Sequence, residues 1–276
     1  MTTATASLRD HVLRLRPDWD PAALSGFLYL EGGYSNDNYR FEYGGEHYVL
    51  RAPRGSNSGQ THAFIDRALE ARVYASRLPG LPAVIAEDTA TGHMISRWVP
   101  GRLLADIDAE PGVLIDYLRA LHRTMPAVAR RYDPVAQARA HLAAAAPPTW
   151  LARLADRTRW APPAWTTCHN DLNPWNVILG ADGWTTLDWE WIGQNDPLFD
   201  LVVLHQGAGA PAADLPGWAR GYLGADAAPE RLQACQVGFW LRETAWAMAE
   251  IAAGNDRPEI VEQSRLGAAA LQALTA

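Results

Sequence analysis

The sequence predicts an α+β protein with two lobes, a small antiparallel β lobe followed by a larger, mainly helical lobe. Short segments in which apolar and polar residues alternate, separated by turn glycines, are concentrated in the first third of the chain. Beyond Pro100-Gly101, which breaks this pattern, apolar residues recur mostly at helical spacing. We therefore expect an N-terminal lobe of residues 1–99 and a C-terminal lobe of residues 100–276.

The first lobe is expected to contain one small sheet and two helices. Its strand segments are rich in β-branched and aromatic residues, and Gly44-Gly45 supplies a tight turn between two of them. The predicted elements are a helix over 8–20, strands near 27–30, 39–43 and 47–51, a helix over 62–77, and strands near 83–87 and 93–98.

The second lobe is expected to be helical apart from one hairpin that carries polar residues. The segment 135–158 is read as one or two helices because Pro147-Pro148 interrupts it. The other predicted elements are a helix over 113–123, the hairpin over 166–190, and helices over 217–223, 230–253 and 257–274.

Composition narrows the function classes. A formal charge of −7 and a pI near 5.6 argue against a general nucleic-acid-binding protein. The two cysteines do not form a disulfide framework, and no signal-like or membrane-spanning apolar run occurs, so we expect a cytoplasmic protein. All 24 basic residues are arginine, so any side-chain cation that binds phosphate has to be an arginine.

The most informative motif is H-N-D-L-x-x-x-N at residues 169–176, followed by Asp188 at the end of the hairpin. Asp171 is predicted to accept a hydroxyl proton or to orient that hydroxyl. Asn176 and Asp188 offer the hard oxygen ligands that Mg²⁺ prefers. The spacing is typical of phosphoryl transfer from a nucleotide, with ATP and Mg²⁺ as the expected cofactors.

Other residues are predicted to bind the nucleotide. The loop at 32–36, which includes Gly33, Ser35 and Asn36, lies between two strands and can direct backbone N–H groups at phosphates. Arg51 ends a strand and is expected to contact phosphates, with Glu70 of the following helix as its partner. Arg67 and Arg72 are close enough in the helix to compete for Glu70.

Several polar residues are expected to be structural. His169 is predicted to bond to the backbone and shape its loop, and Asp200 to brace that loop. Cys168 is read as a small buried hydrophobe. On the late helix, Trp240 and Trp246 lie near Glu243, where aromatic faces and carboxylates suit a cation, although packing in the core is the simpler explanation of these tryptophans.

These motifs resemble the choline/ethanolamine kinase and aminoglycoside phosphotransferase superfamily, which has a protein-kinase-like fold. The resemblance extends over about residues 25–255 and is most specific at 169–176 and 187–190. Within the superfamily, the segments 33–39, 48–53 and 188–191 are similar to the choline/thiamine kinase branch, where arginine replaces the usual lysine. Trp246 is followed by Ala249, whereas choline kinases often place a second tryptophan at that spacing.

The resemblance implies an ATP- and Mg²⁺-dependent kinase acting on a small, cationic alcohol such as choline, ethanolamine or thiamine. Asp171 is then the base, Asn176 and Asp188 bind the metal, and Arg51 binds ATP. Adenine is expected near Trp98, in the segment 96–99. Substrate contacts are expected from Asp171, Glu190, Trp191, Glu243 and Trp246. The alternatives are an aminoglycoside-type antibiotic phosphotransferase and a catalytically silent pseudokinase; the sequence does not give the oligomeric state.

Overall fold

A computed structural model of the chain describes residues 3–31, 36–54 and 64–276. These residues form two compact units. The first unit comprises residues 1–56, 66–106 and 175–190, and the second comprises 57–65, 107–174 and 191–276. The hairpin at 177–186 therefore groups with the first unit, whereas the sequence boundary at 99 and 100, which stays a prediction, assigns it to the second lobe.

The first unit contains a five-stranded antiparallel sheet with strand order β1-β2-β3-β5-β4. Each of the predicted strands is present. Gly44 and Gly45 have φ of 58° and 81° and close the tight turn between β2 and β3, a backbone that suits glycine. The strands are β1 (Ser25–Leu30), β2 (Asn36–Tyr43), β3 (Glu46–Pro53), β4 (Val84–Glu87) and β5 (Met94–Arg97).

The core of this sheet is aromatic. Trp19 stacks on Tyr43 with ring centroids 4.1 Å apart, and Phe41 is fully buried against Trp19, Tyr48 and Leu50. Helix α1 (Thr3–Leu15) supplies Val12 to the same core. This helix ends at Leu15, earlier than predicted, and the chain then turns toward Pro21.

Helix α2 spans Arg67–Ala75 and is shorter than the predicted 62–77. Residues 64–66 are not helical, and residues 62 and 63 lie outside the described part of the chain. Asp66 fixes the start, because its side chain accepts a hydrogen bond from the backbone N–H of Leu69 at 2.9 Å. The buried face of the helix includes Glu70 and Tyr74, which points both side chains into the first unit.

A three-stranded sheet completes the first unit. Strand β6 (Arg102–Leu103) pairs with β8 (Val177–Gly180), which pairs with β9 (Gly183–Thr186). Gly101 precedes β6, and a Cβ at this position would lie 2.5 Å from the carbonyl oxygen of Leu179. This close backbone approach ties the hairpin to the chain beyond Pro100.

The second unit is mainly helical. Its apolar core joins the four helices that carry Leu142, Leu151, Leu241 and Leu271. The short strands β7 (Thr166–Cys168) and β10 (Gly193–Asn195) pair antiparallel. Its helices are α3 (Pro111–Thr124), α4 (Pro134–Ala143), α5 (Thr149–Arg157), α6 (Pro197–Gly207), α7 (Leu215–Leu223), α8 (Pro229–Ala252) and α9 (Pro258–Thr275).

Strands β6 and β10 were not predicted from the sequence, and neither was helix α6. Its residues from Pro197 to His205 are all buried, so the helix has no polar face and lacks the periodicity by which a surface helix is identified. Asp196 caps its start by accepting from the backbone N–H of Leu198 at 3.0 Å. Among the described helices, none is both long and apolar enough to span a membrane. The antiparallel sheets of the first unit and the helices of the second confirm the predicted α+β class.

Candidate active site

In the second unit, Asp200 of α6 holds the loop that follows β7. Its Oδ2 accepts a hydrogen bond from the backbone N–H of His169 at 2.8 Å, and Oδ1 accepts from that of Asn170 at 2.7 Å. Burial opposes ionisation of Asp200, but its contact with His122 nevertheless lowers the pKa of the carboxyl. The predicted bracing role of Asp200 is confirmed.

The side chains of His122, Cys168 and Asp200 have potential ligand atoms within 4.8 Å of one another. Burial raises the pKa of the Cys168 thiol well above its usual value, which disfavours the thiolate that binds metals. The Asp200 oxygens already accept backbone hydrogen bonds. We therefore interpret this cluster as a structural brace, in agreement with the sequence reading of Cys168.

Asn170 adopts a left-handed backbone with φ of 69°. Its side-chain amide donates to the carbonyl of Trp191 at 2.9 Å, and its Oδ1 accepts from Asn195 Nδ2 at 2.8 Å. An asparagine tolerates this conformation better than most residues, and the surrounding bonds fix it. The backbone leading into Asp171 is thus rigidly defined.

Asp171 is half-buried and receives hydrogen bonds on both carboxylate oxygens. Arg242 Nη2 lies 3.2 Å from Oδ1, and Asn173 Nδ2 lies 3.2 Å from Oδ2. The backbone N–H of Asp171 donates to His169 Nδ1 at 3.2 Å, which confirms that His169 shapes the loop. An oriented carboxylate of this kind can accept or orient a hydroxyl proton.

Glu243 and Arg242 lie next to each other on α8. Arg242 Nη2 lies 2.5 Å from Glu243 Oε1, and Gln263 donates to Oε2. Burial raises the pKa of the Glu243 carboxyl, despite the nearby charge of Arg242. The structure thus connects Glu243 with Asp171 through Arg242, a residue to which the sequence analysis gave no role.

The tryptophans predicted near the substrate have different surroundings in the second unit. Trp240 packs against the apolar core, as its simpler interpretation predicted. Trp191 is half-buried and lies edge-on to Tyr132, with ring centroids 6.4 Å apart. Trp246 is half-buried on α8.

In the first unit, Arg51 and Glu70 form a buried bidentate ion pair. Arg51 Nη1 lies 2.5 Å from Glu70 Oε1, and Nη2 lies 3.0 Å from Oε2. Burial opposes the charged form of Glu70, but the charges of Arg51 and Arg67 lower the pKa of this carboxyl. The pairing expected from the sequence is present.

Arg67 extends this pair into a network. Its Nη1 lies 2.8 Å from Glu70 Oε2 and 2.9 Å from Glu190 Oε2. Burial, together with the charge of Asp188, raises the pKa of the Glu190 carboxyl to about 7. Glu190, expected among the substrate contacts, is therefore engaged with an arginine of its own unit, and its predicted role stays a prediction.

Asp188 and Asn176 flank the open end of the β8–β9 hairpin. The carbonyl of Asn176 accepts a hydrogen bond from the N–H of Leu187 at 2.7 Å. Strand β9 ends at Thr186, so Asp188 lies two residues beyond the end of the strand. Asp188 has a left-handed backbone with φ of 57°, and its Oδ1 lies 3.6 Å from Arg51 Nη1. These oxygen donors fit a magnesium ion.

The turn after Asp188 is anchored inside the first unit. Trp189 is fully buried and donates from Nε1 to the carbonyl of Thr186 at 2.9 Å. Its backbone N–H lies 3.4 Å from the hydroxyl of Tyr74, whose pKa burial raises well above its usual value. Helix α2 therefore contacts the turn directly.

The remaining predicted nucleotide residues are less completely described. Asn36 is buried at the start of β2, and the Trp98 ring lies under the guanidinium of Arg40 at 5.4 Å. Gly33 and Ser35 lie outside the described residues. The roles of these residues stay predictions.

A curated relative matches a short part of the chain. Protein LicA of Haemophilus influenzae is 51% identical over 37 residues. The match covers 13% of this chain and 14% of LicA, so it spans about a seventh of the relative's length.

Solved structures share the fold over almost the whole chain. Choline kinase LicA from Streptococcus pneumoniae has a TM-score of 0.76 at 14% identity, with 99% of this chain and 100% of that chain covered. A choline/ethanolamine kinase family protein from Mesorhizobium loti has a TM-score of 0.74 at 23% identity, with 98% and 94% covered. These similarities establish the fold.

The family assignment comes from a separate comparison of the sequence. The profile of the phosphotransferase enzyme family, APH, matches residues 27–235, which is about three quarters of the chain. The matched region contains both the 169–176 motif and Asp188, so the resemblance predicted from these residues is confirmed. The chain belongs to the phosphotransferase enzyme family.

Proposed function

We propose that the protein is an ATP- and Mg²⁺-dependent kinase that transfers the γ-phosphate to a hydroxyl of a small, cationic alcohol. The observation that carries this proposal is the buried Arg51–Glu70 pair, whose guanidinium also lies 3.6 Å from Asp188. A phosphate-binding cation and a metal-binding carboxylate are then adjacent, as nucleotide-dependent phosphoryl transfer needs.

The nucleotide phosphates bind Arg51 in this proposal, and Glu70 fixes the guanidinium. Arginine keeps its charge throughout the accessible pH range and presents a planar set of donors to phosphate oxygens. Because the chain contains no lysine, the cation in this role has to be an arginine, and Arg51 is the strand arginine that pairs with Glu70 and lies near Asp188. Further nucleotide contacts are proposed for Gly33, Ser35, Asn36 and Trp98.

Asn176 and Asp188 would hold the magnesium ion. Their oxygens border one end of the hairpin, and the Asp188 side chain is 32% exposed, which leaves it accessible to a ligand. When bound, magnesium neutralises charge on the phosphate oxygens.

Asp171 acts on the alcohol. Its carboxylate accepts or orients the hydroxyl proton while the hydroxyl oxygen forms a bond to the γ-phosphorus. The bond between the γ-phosphorus and the β–γ bridging oxygen breaks, and ADP leaves with that electron pair. The hydrogen bonds from Arg242 and Asn173 support this role, because they fix the carboxylate before the substrate binds.

The substrate class is choline, ethanolamine or thiamine. The acidic chain and two kinase neighbours described as choline or choline/ethanolamine kinases support a cationic alcohol. Substrate contacts are proposed for Glu190, Trp191, Glu243 and Trp246, since carboxylates and aromatic faces attract cations. We also propose that residues 1–99 form the nucleotide-binding lobe, that residues 100–276 form the catalytic lobe, and that the enzyme is cytoplasmic.

The test is a phosphate-transfer assay with ATP and Mg²⁺ against choline, ethanolamine, thiamine and an aminoglycoside. The Asp171→Ala protein should bind ATP normally and lose turnover by roughly 10²–10⁴-fold, because it lacks the base. Asp182→Ala, which removes an exposed carboxylate in the β8–β9 turn, is the matched control and should remain active.

The other possible results would contradict the assignment of the base or favour a different function. Near-normal turnover by Asp171→Ala would contradict the assignment of the base. Transfer to the aminoglycoside alone would favour the antibiotic phosphotransferase. ATP binding by the wild-type protein without transfer to any alcohol would favour the pseudokinase.

A further inference from the structure

Arg242 makes an unusually complete set of contacts for a residue outside the recognised motif. It is 6% exposed in the middle of α8. Its Nη1 donates to the hydroxyl of Tyr132 at 2.9 Å and to the carbonyl of Asn170. Its Nη2 lies 3.2 Å from Asp171 Oδ1. One guanidinium thus contacts two successive residues of the loop at 169–176.

The orientation of this guanidinium is itself fixed. Arg242 Nε donates to Glu243 Oε1 at 2.7 Å, and Glu243 Oε2 accepts from Gln263 of α9. The guanidinium lies over the rings of Phe199 and Phe239, with its central carbon 5.5 Å and 5.8 Å from their centroids. Contacts with both aromatic rings and with the hydrogen-bond acceptors leave the Arg242 side chain little conformational freedom.

A buried arginine of this kind is not expected to add much to the free energy of unfolding. Removing a cation from water is unfavourable, and well-packed apolar residues often replace a buried ion pair without loss of stability. The partners of Arg242 are also unevenly distributed, because two of them, Asn170 and Asp171, belong to the loop that carries the proposed base. The contacts therefore suit a role in placing the carboxylate.

We propose that Arg242 is a positioning residue for phosphoryl transfer, which holds the Asp171 carboxylate in the orientation that receives the substrate hydroxyl. This inference rests on the proposed kinase function. Arg242 contributes hydrogen bonds from a charged donor to both the backbone and the side chain of the loop, and such bonds are generally stronger than those between neutral groups. Glu243 then holds Arg242 in place, in addition to any contact with the substrate.

The consequence for catalysis is specific. A carboxylate that is displaced by about 1 Å can lose on the order of 100-fold in rate, because the reacting groups need close alignment. Nucleotide binding depends on Arg51 in the first unit, so it should be largely independent of Arg242. The expected signature of losing Arg242 is thus a fall in kcat with little change in nucleotide affinity.

The test compares Arg242→Ala and Arg242→Lys with Arg139→Ala in the full-length protein. Arg139 is a half-buried arginine of the same unit, and it donates to the carbonyls of Ala155 and Thr158 at the end of α5. For each variant, kcat and KM for the alcohol, Kd for ATP and Tm are measured. Addition of millimolar guanidinium to Arg242→Ala tests chemical rescue.

We expect Arg242→Ala to lose about 100-fold in kcat with an ATP Kd within about threefold of wild type, and guanidinium to restore part of the rate. Arg242→Lys should be intermediate, because it retains the charge but not the planar donors. Arg139→Ala should lower Tm while retaining kcat.

Failures of the inference and of the proposed function are distinguishable. A kcat for Arg242→Ala close to that of the wild type overturns the inference alone. A parallel loss of kcat, ATP binding and Tm in both Arg242 variants, without guanidinium rescue, also overturns it, because it indicates a purely structural role. Lack of phosphate transfer by the wild-type protein overturns the proposed function together with the inference.

Discussion

Asp200 and His122 form a buried contact beside the loop at 169–176, with Asp200 Oδ2 3.0 Å from His122 Nε2. The same carboxylate accepts the backbone N–H groups of His169 and Asn170. One aspartate thus satisfies three groups that have few alternatives in the interior, and the loop depends on its negative charge.

Asp200→Asn should destabilise the protein, because the new amide group cannot accept hydrogen bonds from all three groups. We expect a loss of about 1–3 kcal/mol in the free energy of unfolding, the usual penalty for an unsatisfied buried donor. The measurement is the urea midpoint at constant m-value. Asp116→Asn, at a side chain that is 77% exposed, is the control; equal losses in the two variants would contradict the brace.

Gly207→Ala should push the loop at 169–176 away from α6. A Cβ on Gly207 would lie 2.3 Å from Pro174 Cδ, so the loop or the helix has to shift. We expect a loss of about 1–3 kcal/mol, as for other overpacked sites, with a lower Tm and lower turnover.

Gly217→Ala is the matched control, because a Cβ there has no described atom within 4 Å. Gly217 lies within helix α7, where alanine is favoured over glycine by about 0.5–1 kcal/mol. The two substitutions should therefore change Tm in opposite directions. A stabilising Gly207→Ala would show that the loop tolerates the added methyl group.

Arg67 and Glu190 should be energetically coupled. Arg67→Met removes the guanidinium that lies 2.9 Å from the buried Glu190 carboxylate and leaves that carboxylate without this partner. In the double variant, Glu190→Gln removes the carboxylate charge as well. In a double-mutant cycle we expect the two effects to be non-additive by about 1–3 kcal/mol. Additive losses would argue against a direct interaction.

The control cycle uses Arg265→Met and Glu262→Gln on the surface of α9. Their ion pair is 2.6 Å long, but the side chains are 67% and 50% exposed. Solvent and salt screen such pairs, so no measurable coupling is expected. Comparing the two cycles shows whether the coupling energy depends on burial of the ion pair or only on the short distance between the charges.

His141 should make stability depend on pH. Burial, with a further contribution from the charge of Arg242, lowers the pKa of His141 to about 4. Between pH 6.5 and 4 the unfolded chain takes up a proton that the folded protein refuses, so stability falls as pH falls. Well above pH 6.5 the histidine is neutral in both states, so this loss of unfolding free energy is absent.

His141→Gln should remove this dependence. Relative to the variant, the wild-type protein should lose about 1.6 kcal/mol of unfolding free energy between pH 6.5 and pH 5, from integrating the proton linkage. Denaturant titrations at several pH values provide the measurement, with His47→Gln, at a side chain that is 41% exposed, as the control for losing an imidazole. Parallel pH profiles for wild type and His141→Gln would contradict the prediction.

Local sequence patterns predicted the strands of the five-stranded sheet, most helices and the pairing of Arg51 with Glu70, but not the short strands β6 and β10. These features depend on alternation, helical spacing and a motif whose residues are close along the chain. Helix α6 was missed because burial on all sides removes the helical periodicity. Arg242 was missed because its partner Asp171 lies 71 residues away, and nothing in the sequence distinguishes a buried arginine from a solvated one.

The arginine-only composition also limits how the protein can be modified. Arg51 engages Glu70 with a guanidinium, and no lysine is present elsewhere to offer a primary side-chain amine. Electrophiles that acylate lysine amines therefore lack a side-chain target in this protein. The cysteines, Cys168 and Cys235, are both buried, so thiol-directed reagents are also hindered. A covalent inhibitor would need chemistry directed at carboxylates, hydroxyls or imidazoles.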